Sequence, residues 1–493
     1  MGYRETAFLQ MFQRAVARYG LAASLSLLAA IPLAVAVFAG PRAAATTALW
    51  LAFPALEWLL VQPSVKKGEG FRDARRRVLS GMVRDPLFWF GLFALLFAGA
   101  RALNGGIGLA YDPETAVWSV SEPWTIGLPA SADGAGYPLF AAAVAFLVTV
   151  EGIRHGLGKS ARAMCLVMAS VVAGCAGIAA AVAVCAGNEH LLKLAGTGLF
   201  APTWAGDAFS VWFVASAAAL GQVEERGWKK AGLPAVFVAI AGTAAGTVFL
   251  CPPLVALGAA VAAAVAAVIS MNYAGVQAGL VASARAVVVF VLAVSLPLVA
   301  LTGLADEDLC KAKLEGLVPS NALTERQQTM RGALTGNALA MWQESPWLGA
   351  GVGVYRIKAP FCAEKADWAD LPYKIEFVPN GYAQMLAERG IVGCMVVVLG
   401  LGLLVGTGIA RFASSYKALA SASDMPSPVL CVPPVGWAQF PLIAFLGALC
   451  AYAASPVIQA QTWTAAAFTL AMASASFPQR RKQAGAGAVN TEK

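Results

Sequence analysis

Leu21-Ala-Ala-Ser-Leu-Ser-Leu-Leu-Ala-Ala-Ile-Pro-Leu-Ala-Val-Ala-Val-Phe-Ala-Gly40 runs for twenty residues without a charge. A helix rising about 1.5 Å per residue needs roughly that length to cross about 30 Å of hydrocarbon. Arg14 and Arg18 precede the run and small residues close it, as in a secretory signal. Signal cores are shorter, roughly 7–15 residues, and a second apolar run follows at once, so the segment reads as a retained helix.

Further apolar stretches follow at about 43–64, 86–103, 138–153, 163–186, 208–222, 232–249, 253–272, 285–303, 391–410, 434–453 and 462–478. The chain is 59% hydrophobic and 13% charged, with mean hydropathy +0.68, more apolar surface than a soluble core of 493 residues can hide. The fold class is therefore an all-α polytopic membrane protein of about 12 transmembrane helices. A large, partly helical loop lies between helices 9 and 10. Residues 1–303 hold helices 1–9, 304–390 the loop, 391–478 helices 10–12, and 479–493 a disordered tail.

Cationic loops resist translocation, so Lys and Arg set the orientation. With the N-terminus inside, the inner segments carry 23 Lys/Arg, and the outer segments other than 304–390 carry 3. Both termini are then cytoplasmic and the long loop faces outward. The run Lys66-Lys67-Gly-Glu-Gly-Phe-Arg72-Asp-Ala-Arg75-Arg76-Arg77 fits this topogenic role better than nucleic-acid binding.

Nine cysteines and two histidines form no C-x-x-C or Cys/His metal spacing, which argues against a metal site built on them. Cys310 and Cys362 are the two cysteines of the outward loop, where an oxidising compartment permits a disulfide. Within that loop, residues 322–344 read as a helix with Leu323, Met330, Leu334, Leu339 and Trp342 on its apolar face and Pro346 as its stop. Gly349, Gly351 and Gly353 predict a turn with close backbone approach. Residues 379–389 predict the lead-in turn of the next span.

Two stretches of the loop carry a resemblance. The first is Arg331-x14-Pro346-Trp-Leu-Gly349-Ala-Gly351, the second Pro379-Asn380-Gly-Tyr382-Ala-Gln-Met-Leu386-Ala-Glu388-Arg-Gly390-Ile-Val-Gly393. Together they resemble the signature of the O-antigen ligase and polymerase superfamily of bacterial membrane glycosyltransferases. That signature has an arginine, a Pro-Leu-Leu-Gly-x-Gly turn, and a His-Asn-x-Tyr-Leu-x-x-Leu-x-Glu-x-Gly-x-x-Gly segment. A weaker match, Lys193-Leu-Ala-Gly196-Thr-Gly198-Leu-Phe200, is similar to the family's Arg-x-x-Gly-Thr-Phe segment. One departure is plain: Pro379 stands where the family has a histidine, and proline offers no proton chemistry.

The resemblance implies transfer of a glycan from a polyprenyl-diphosphate carrier to a hydroxyl acceptor, which would be a lipid A core, another glycan or a protein. It implies Arg331 as the cation on the diphosphate, with Lys193 or Arg356 sharing the load, and Asn380, Tyr382, Gly349 and Gly351 as substrate-binding positions. Glu388 and His190 are candidates for the missing histidine's part, although Glu388 also fits a capping or ion-pairing role with Arg389. No metal or soluble cofactor is required for this chemistry. The polyprenyl chain has to stay in lipid while its diphosphate reaches Arg331, so a cavity straddling the interface is expected. Other readings are a polymerase of the same superfamily, a transporter, and a non-catalytic partner in polysaccharide export. The transporter lacks support from hydropathy symmetry between the halves.

A cysteine placed at position 340 should react with membrane-impermeant reagents from the periplasmic side only. Labelling from the cytoplasmic side alone would reverse the topology.

Overall fold

A computed structural model describes residues 2–61, 70–114, 117–121, 131–132, 134–195, 204–225, 232–278, 280–304, 307–315, 325–362, 378 and 380–420. In chain order the helices are α1 (Gly2–Ala39), α2 (Pro41–Leu60), α3 (Phe71–Val83), α4 (Pro86–Leu103), α5 (Gly136–Glu151), α6 (Lys159–Cys185), α7 (Glu189–Ala195) and α8 (Trp204–Glu225). They continue with α9 (Gly232–Leu250), α10 (Pro253–Ala278), α11 (Leu280–Leu304), α12 (Glu307–Glu315), α13 (Glu325–Glu344), α14 (Tyr355–Cys362) and α15 (Gly381–Ala420).

Seven of these are long and apolar enough to cross a membrane. Gly206–Leu220, Val255–Val268 and Ala284–Ala300 are shorter apolar helices. Each expected span up to 391–410 thus coincides with an apolar helix. The expected spans at 434–453 and 462–478 lie outside the described residues, as does Pro379. So do the side chains of Arg331, Lys193 and Cys362, and with the last the expected Cys310–Cys362 pairing.

The bundle packs through small residues. In lipid, helices gain little by hiding apolar surface from one another, so close van der Waals contact has to supply the cohesion. α6 packs along α9, where Gly174, Gly177 and Gly242 let the backbones touch. A Cβ added at Gly242 would lie 1.9 Å from the Gly174 carbonyl oxygen. α8 lies against α9 and α10, α1 against α2 and α6, and α4 against α5. Across the α1–α6 seam, Ser26 Oγ donates to the Cys165 carbonyl at 3.0 Å, satisfying a hydroxyl that is fully buried.

Three features depart from the sequence reading. A small three-stranded sheet follows α4: β1 (Gly105–Asp112) pairs antiparallel with β2 (Val117–Ser121) and parallel with the two-residue β3 (Ser131–Ala132). The run Gly105-Gly-Ile-Gly-Leu-Ala-Tyr-Asp112 is too short and glycine-rich for a strong period-two signal. On α13 the buried stripe is Leu334, Ala338 and Met341, whereas Leu339 points outward with 37% of its surface exposed. The segment expected as a lead-in turn is helical from Gly381, and the break falls at Gly390 (φ 64°, ψ −170°).

Two apolar cores result. The larger fills the bundle. The smaller joins Ile107 and Ala132 of the sheet to Met341, Val354, Tyr355, Ala383 and Ala387, holding α13, α14 and the start of α15 together as a cap.

Gly242→Ala should lower the melting temperature of the purified protein in detergent, because α6 and α9 must separate to admit the methyl group. Gly258→Ala, on a surface of α10 with nothing within 4 Å of the added atom, should leave it unchanged or raise it. Equal behaviour of the two variants would contradict the close-packed seam.

Candidate functional site

Pro346 ends α13, and the chain turns back through Trp347-Leu-Gly-Ala-Gly-Val-Gly353 onto the break in α15. At a helix break the flanking amides and carbonyls lose their i to i−4 partners, and in an apolar setting each unpaired group costs several kcal/mol, on the order of a lost hydrogen bond or more. Here the two irregular segments satisfy each other. Ile391 N donates to Pro346 O at 2.9 Å and Val392 N to Trp347 O at 3.1 Å. In the opposite sense, Ala350 N donates to Ala387 O at 2.7 Å and Gly351 N to Glu388 O at 3.1 Å.

Only glycine fits where these backbones cross. Gly349 has φ 68°, and a Cβ there would lie 2.4 Å from Arg389 N. Gly390 has φ 64°, and its Cβ would lie 2.4 Å from the Trp347 carbonyl. Two of the expected motif glycines thus serve a single crossing, and Gly351, expected to bind substrate, donates its amide to it.

The side chains lock the same crossing. Glu388 is buried, and its carboxylate accepts from the Gly353 and Tyr355 amides and from Gln384 Nε2 at 3.3 Å. Gln384 Oε1 in turn accepts from Val378 N at 3.1 Å. This arrangement makes Glu388 a clamp on the loop. Asn380 Oδ1 accepts from Tyr382 N at 3.1 Å and Ala383 N at 3.3 Å, an N-cap interaction of about 1 kcal/mol for the start of α15. Tyr355 Oη donates to Leu334 O at 3.2 Å and ties α14 to α13. Trp342 Nε1 donates to Pro346 O at 3.1 Å, while Trp347 stands 67% exposed.

From α4, the fully buried Arg101 reaches across to donate to the Leu348 carbonyl. Its own carbonyl accepts from Ser131 Oγ at 3.1 Å, and Ala132 N donates to Val352 O at 2.9 Å, so the small sheet buttresses the loop.

Not every expected residue joins this centre. Gly349, Gly351, Asn380, Tyr382 and Glu388 meet around the loop and the head of α15. Arg331 lies in α13, one turn ahead of Leu334 on the helix that packs against α15. Arg356 is exposed on α14. His190 is exposed on α7, a helix held by α6 and α9 rather than by the cap, and Lys193 shares that helix.

The sequence reading overlooked Arg101 and Arg389. Arg101 was read only as an outward charge and Arg389 only as a loop charge able to pair with Glu388, yet both lie within apolar helices, where a cation marks a functional or tightly paired position. That location was the available signal.

At the opposite end of α4, Asp85 accepts from Arg154 Nη2 at 2.6 Å and contacts His155 Nε2 at 3.0 Å; Glu151 approaches the same ring nitrogen at 3.5 Å. A π-helical turn, Gly152–Gly156, presents Arg154 and His155. Burial works to raise the Asp85 pKa, but the His155 hydrogen bond, the Arg154 charge and the Leu87 amide outweigh it and hold the carboxyl below its ordinary 3.8. Asp85, Glu151 and His155 bring ligand atoms within 4.8 Å of one another, a grouping that local sequence spacing did not reveal. The cluster joins the α3–α4 turn to the α5–α6 turn, a helix length away from the motif loop.

The fold and site define a polytopic helical membrane protein in which a polar cap is hydrogen-bonded into a broken span. Residues 232–398, from the first residue of α9 into α15, match the family model for O-antigen ligase, and the match supports the O-antigen ligase superfamily for this chain. It contains the whole crossing described above and excludes α7 with Lys193. No curated protein matched the sequence.

Gly390→Ala and Gly349→Ala should each destabilise the protein, since a non-glycine residue strained at positive φ costs on the order of 1–3 kcal/mol before the clash is counted. Gly336→Ala, with open space in the interior of α13, should be neutral or stabilise by up to about 1 kcal/mol. Thermal unfolding of the three variants in one detergent checks the order; a harmless Gly390→Ala would refute the crossing.

Proposed function

We propose that this chain is a glycosyltransferase that moves a glycan from a polyprenyl-diphosphate carrier to a hydroxyl acceptor at the periplasmic face of the bacterial inner membrane. The observation that carries the reading is the family match over the one segment in which the motif residues are gathered. The charge bias of the loops supports the orientation. α4 has the Asp85 cluster at one end and the motif loop at the other, so the two lie on opposite faces of the layer that α4 crosses.

In the transfer, the acceptor oxygen bonds to the anomeric carbon as the bond from that carbon to the diphosphate oxygen breaks. The bonding pair stays on the diphosphate, and the acceptor proton passes to the diphosphate or to water. The demand on the protein is to stabilise charge growing on the leaving group and to orient the acceptor. A guanidinium suits the first task, because its fork meets two phosphate oxygens and keeps its charge at working pH. Arg331 takes that role here. The clamped loop fixes α13 against α15 and so fixes where Arg331 starts. Glu388 acts by holding the loop, and exposed Arg356 is available to the carrier's second phosphate. The ligase and polymerase versions of this reaction share all of these steps and differ in whether the acceptor is itself carrier-linked.

Arg331→Ala should insert and fold normally while losing transfer by a factor on the order of a hundred or more, the scale of a lost transition-state donor. Arg331→Lys should recover part of it, keeping the charge without the fork. Full activity of Arg331→Ala with native donor and acceptor would overturn the assignment.

A further inference from the structure

The polar cluster at the end of α4 remote from the motif loop holds more acid than its own donors serve. Asp85 caps α4, its Oδ1 accepting from Leu87 N at 3.1 Å and its Oδ2 from Arg154 Nη2 at 2.6 Å. His155 Nε2 stands 3.0 Å from the same Oδ2. Glu151, one helical turn before His155, brings its Oε2 to 3.5 Å from that ring nitrogen, yet neither of its carboxylate oxygens has a hydrogen-bond partner. The residue is 1% exposed.

A carboxylate buried in this way is costly, and a fold normally offsets the cost with a cation that completes it. Two carboxylates and one guanidinium leave one negative charge uncompensated beside a neutral imidazole. A proton on His155 Nε2 serves only one of the acids, because it points in a single direction and the nearer neighbour is Asp85. A metal ion has no such limit, since it takes ligands on several sides.

The atoms are already spaced for one. Imidazole nitrogen and carboxylate oxygen bind a divalent transition-metal ion at about 2.0–2.2 Å, which sets neighbouring ligand atoms roughly 3–3.5 Å apart. Here Nε2 lies 3.0 Å from Asp85 Oδ2 and 3.5 Å from Glu151 Oε2, and the three residues offer ligand atoms all within 4.8 Å of one another. Arg154 and the Leu87 amide hold Asp85 in place, as hydrogen bonds commonly orient a ligating carboxylate. The π-helical turn Gly152–Gly156 carries His155, and turns of this kind recur at functional sites. Gly81 of α3 leaves room for the ring: a Cβ there would lie 2.8 Å from His155 Nδ1. With 14% of its side chain exposed, His155 is the most accessible of the three ligands and gives an ion its way in.

We propose that Asp85, Glu151 and His155 bind a divalent transition-metal ion of the Zn²⁺ or Mn²⁺ class. One imidazole with two carboxylates is a mixed donor set, which suits these ions better than Mg²⁺ or Ca²⁺ with their all-oxygen sites. The ion ties the α3–α4 turn to the π-helical turn after α5. It thereby fixes the foot of the helix whose other end holds Leu348 through Arg101. Its role is structural, and neither the proposed reaction nor the proposed orientation enters the argument.

The test uses the full-length protein in detergent, stripped with EDTA, desalted, and then loaded with Zn²⁺ or Mn²⁺, with Mg²⁺ as the comparison. Inductively coupled plasma mass spectrometry counts the bound metal, and thermal unfolding reads its effect. Wild type should retain a single Zn²⁺ or Mn²⁺ per chain and melt several degrees higher with the ion than without it, whereas Mg²⁺ should do neither. Glu151→Gln, which keeps the shape and removes the charge, and His155→Ala should each weaken binding at least about tenfold and lose the metal-dependent rise. If Glu151→Gln fails to fold, His155→Ala at the edge of the cluster decides. A wild-type protein that retains no metal and melts at the same temperature with and without it would overturn the site. So would a Glu151→Gln protein that melts above wild type whether metal is present or not, since a proton would then be what neutralises Glu151. Retention that persists in both variants would place the metal on other groups and overturn it as well.

Discussion

Backbone hydrogen bonds have nowhere to go in hydrocarbon except to other protein groups, and the architecture around Gly390 follows from that constraint. A span that breaks near its end frees two carbonyls and two amides. The chain answers with a second irregular segment, 346–351, that supplies two carbonyls and two amides in the complementary order. Neither segment is tolerable alone; together they leave those eight groups paired. The crossing is so close that both partners must be glycine where they touch, and this ties Gly349 to Gly390 across forty residues of sequence.

Everything in the cap is hung from that crossing. α13 ends at it, α14 begins just after it, and the small sheet is joined to it through Val352 and Arg101. The buried carboxylate of Glu388 serves this role: it accepts from two loop amides and a glutamine and so fixes the loop. A rigid support of this kind is what leaving-group stabilisation by a single arginine needs, since preorganisation supplies much of the effect.

The spans up to 391–410, their order and the α13 stop at Pro346 were legible in sequence because composition and length decide them locally. The family motif was legible because its spacing is fixed by the crossing, which leaves glycines and a carboxylate at regular intervals. The roles of the motif residues were much less legible. Asn380 looks like a substrate ligand in a motif and is the N-cap of a helix in space. Glu388 reads in the motif as either a proton-transfer group or a capping and ion-pairing one, and in space it is bonded to the loop. His190 looked available to replace the histidine missing at Pro379, yet it stands on a helix packed elsewhere in the bundle.

Sequence by itself determined that this chain is a membrane-embedded helical bundle with one large polar insertion, because transfer free energies are summed residue by residue and need no partner. It could not determine which carboxylate is buried without a hydrogen bond, which one is consumed by backbone amides, or that Asp85, Glu151 and His155 meet at one end of α4. Those outcomes depend on which surfaces meet, and residues far apart in the chain set that: Arg101 with Leu348, Glu388 with Gly353, Gly400 with Phe90. Only the tertiary structure brings such partners within hydrogen-bonding or packing distance.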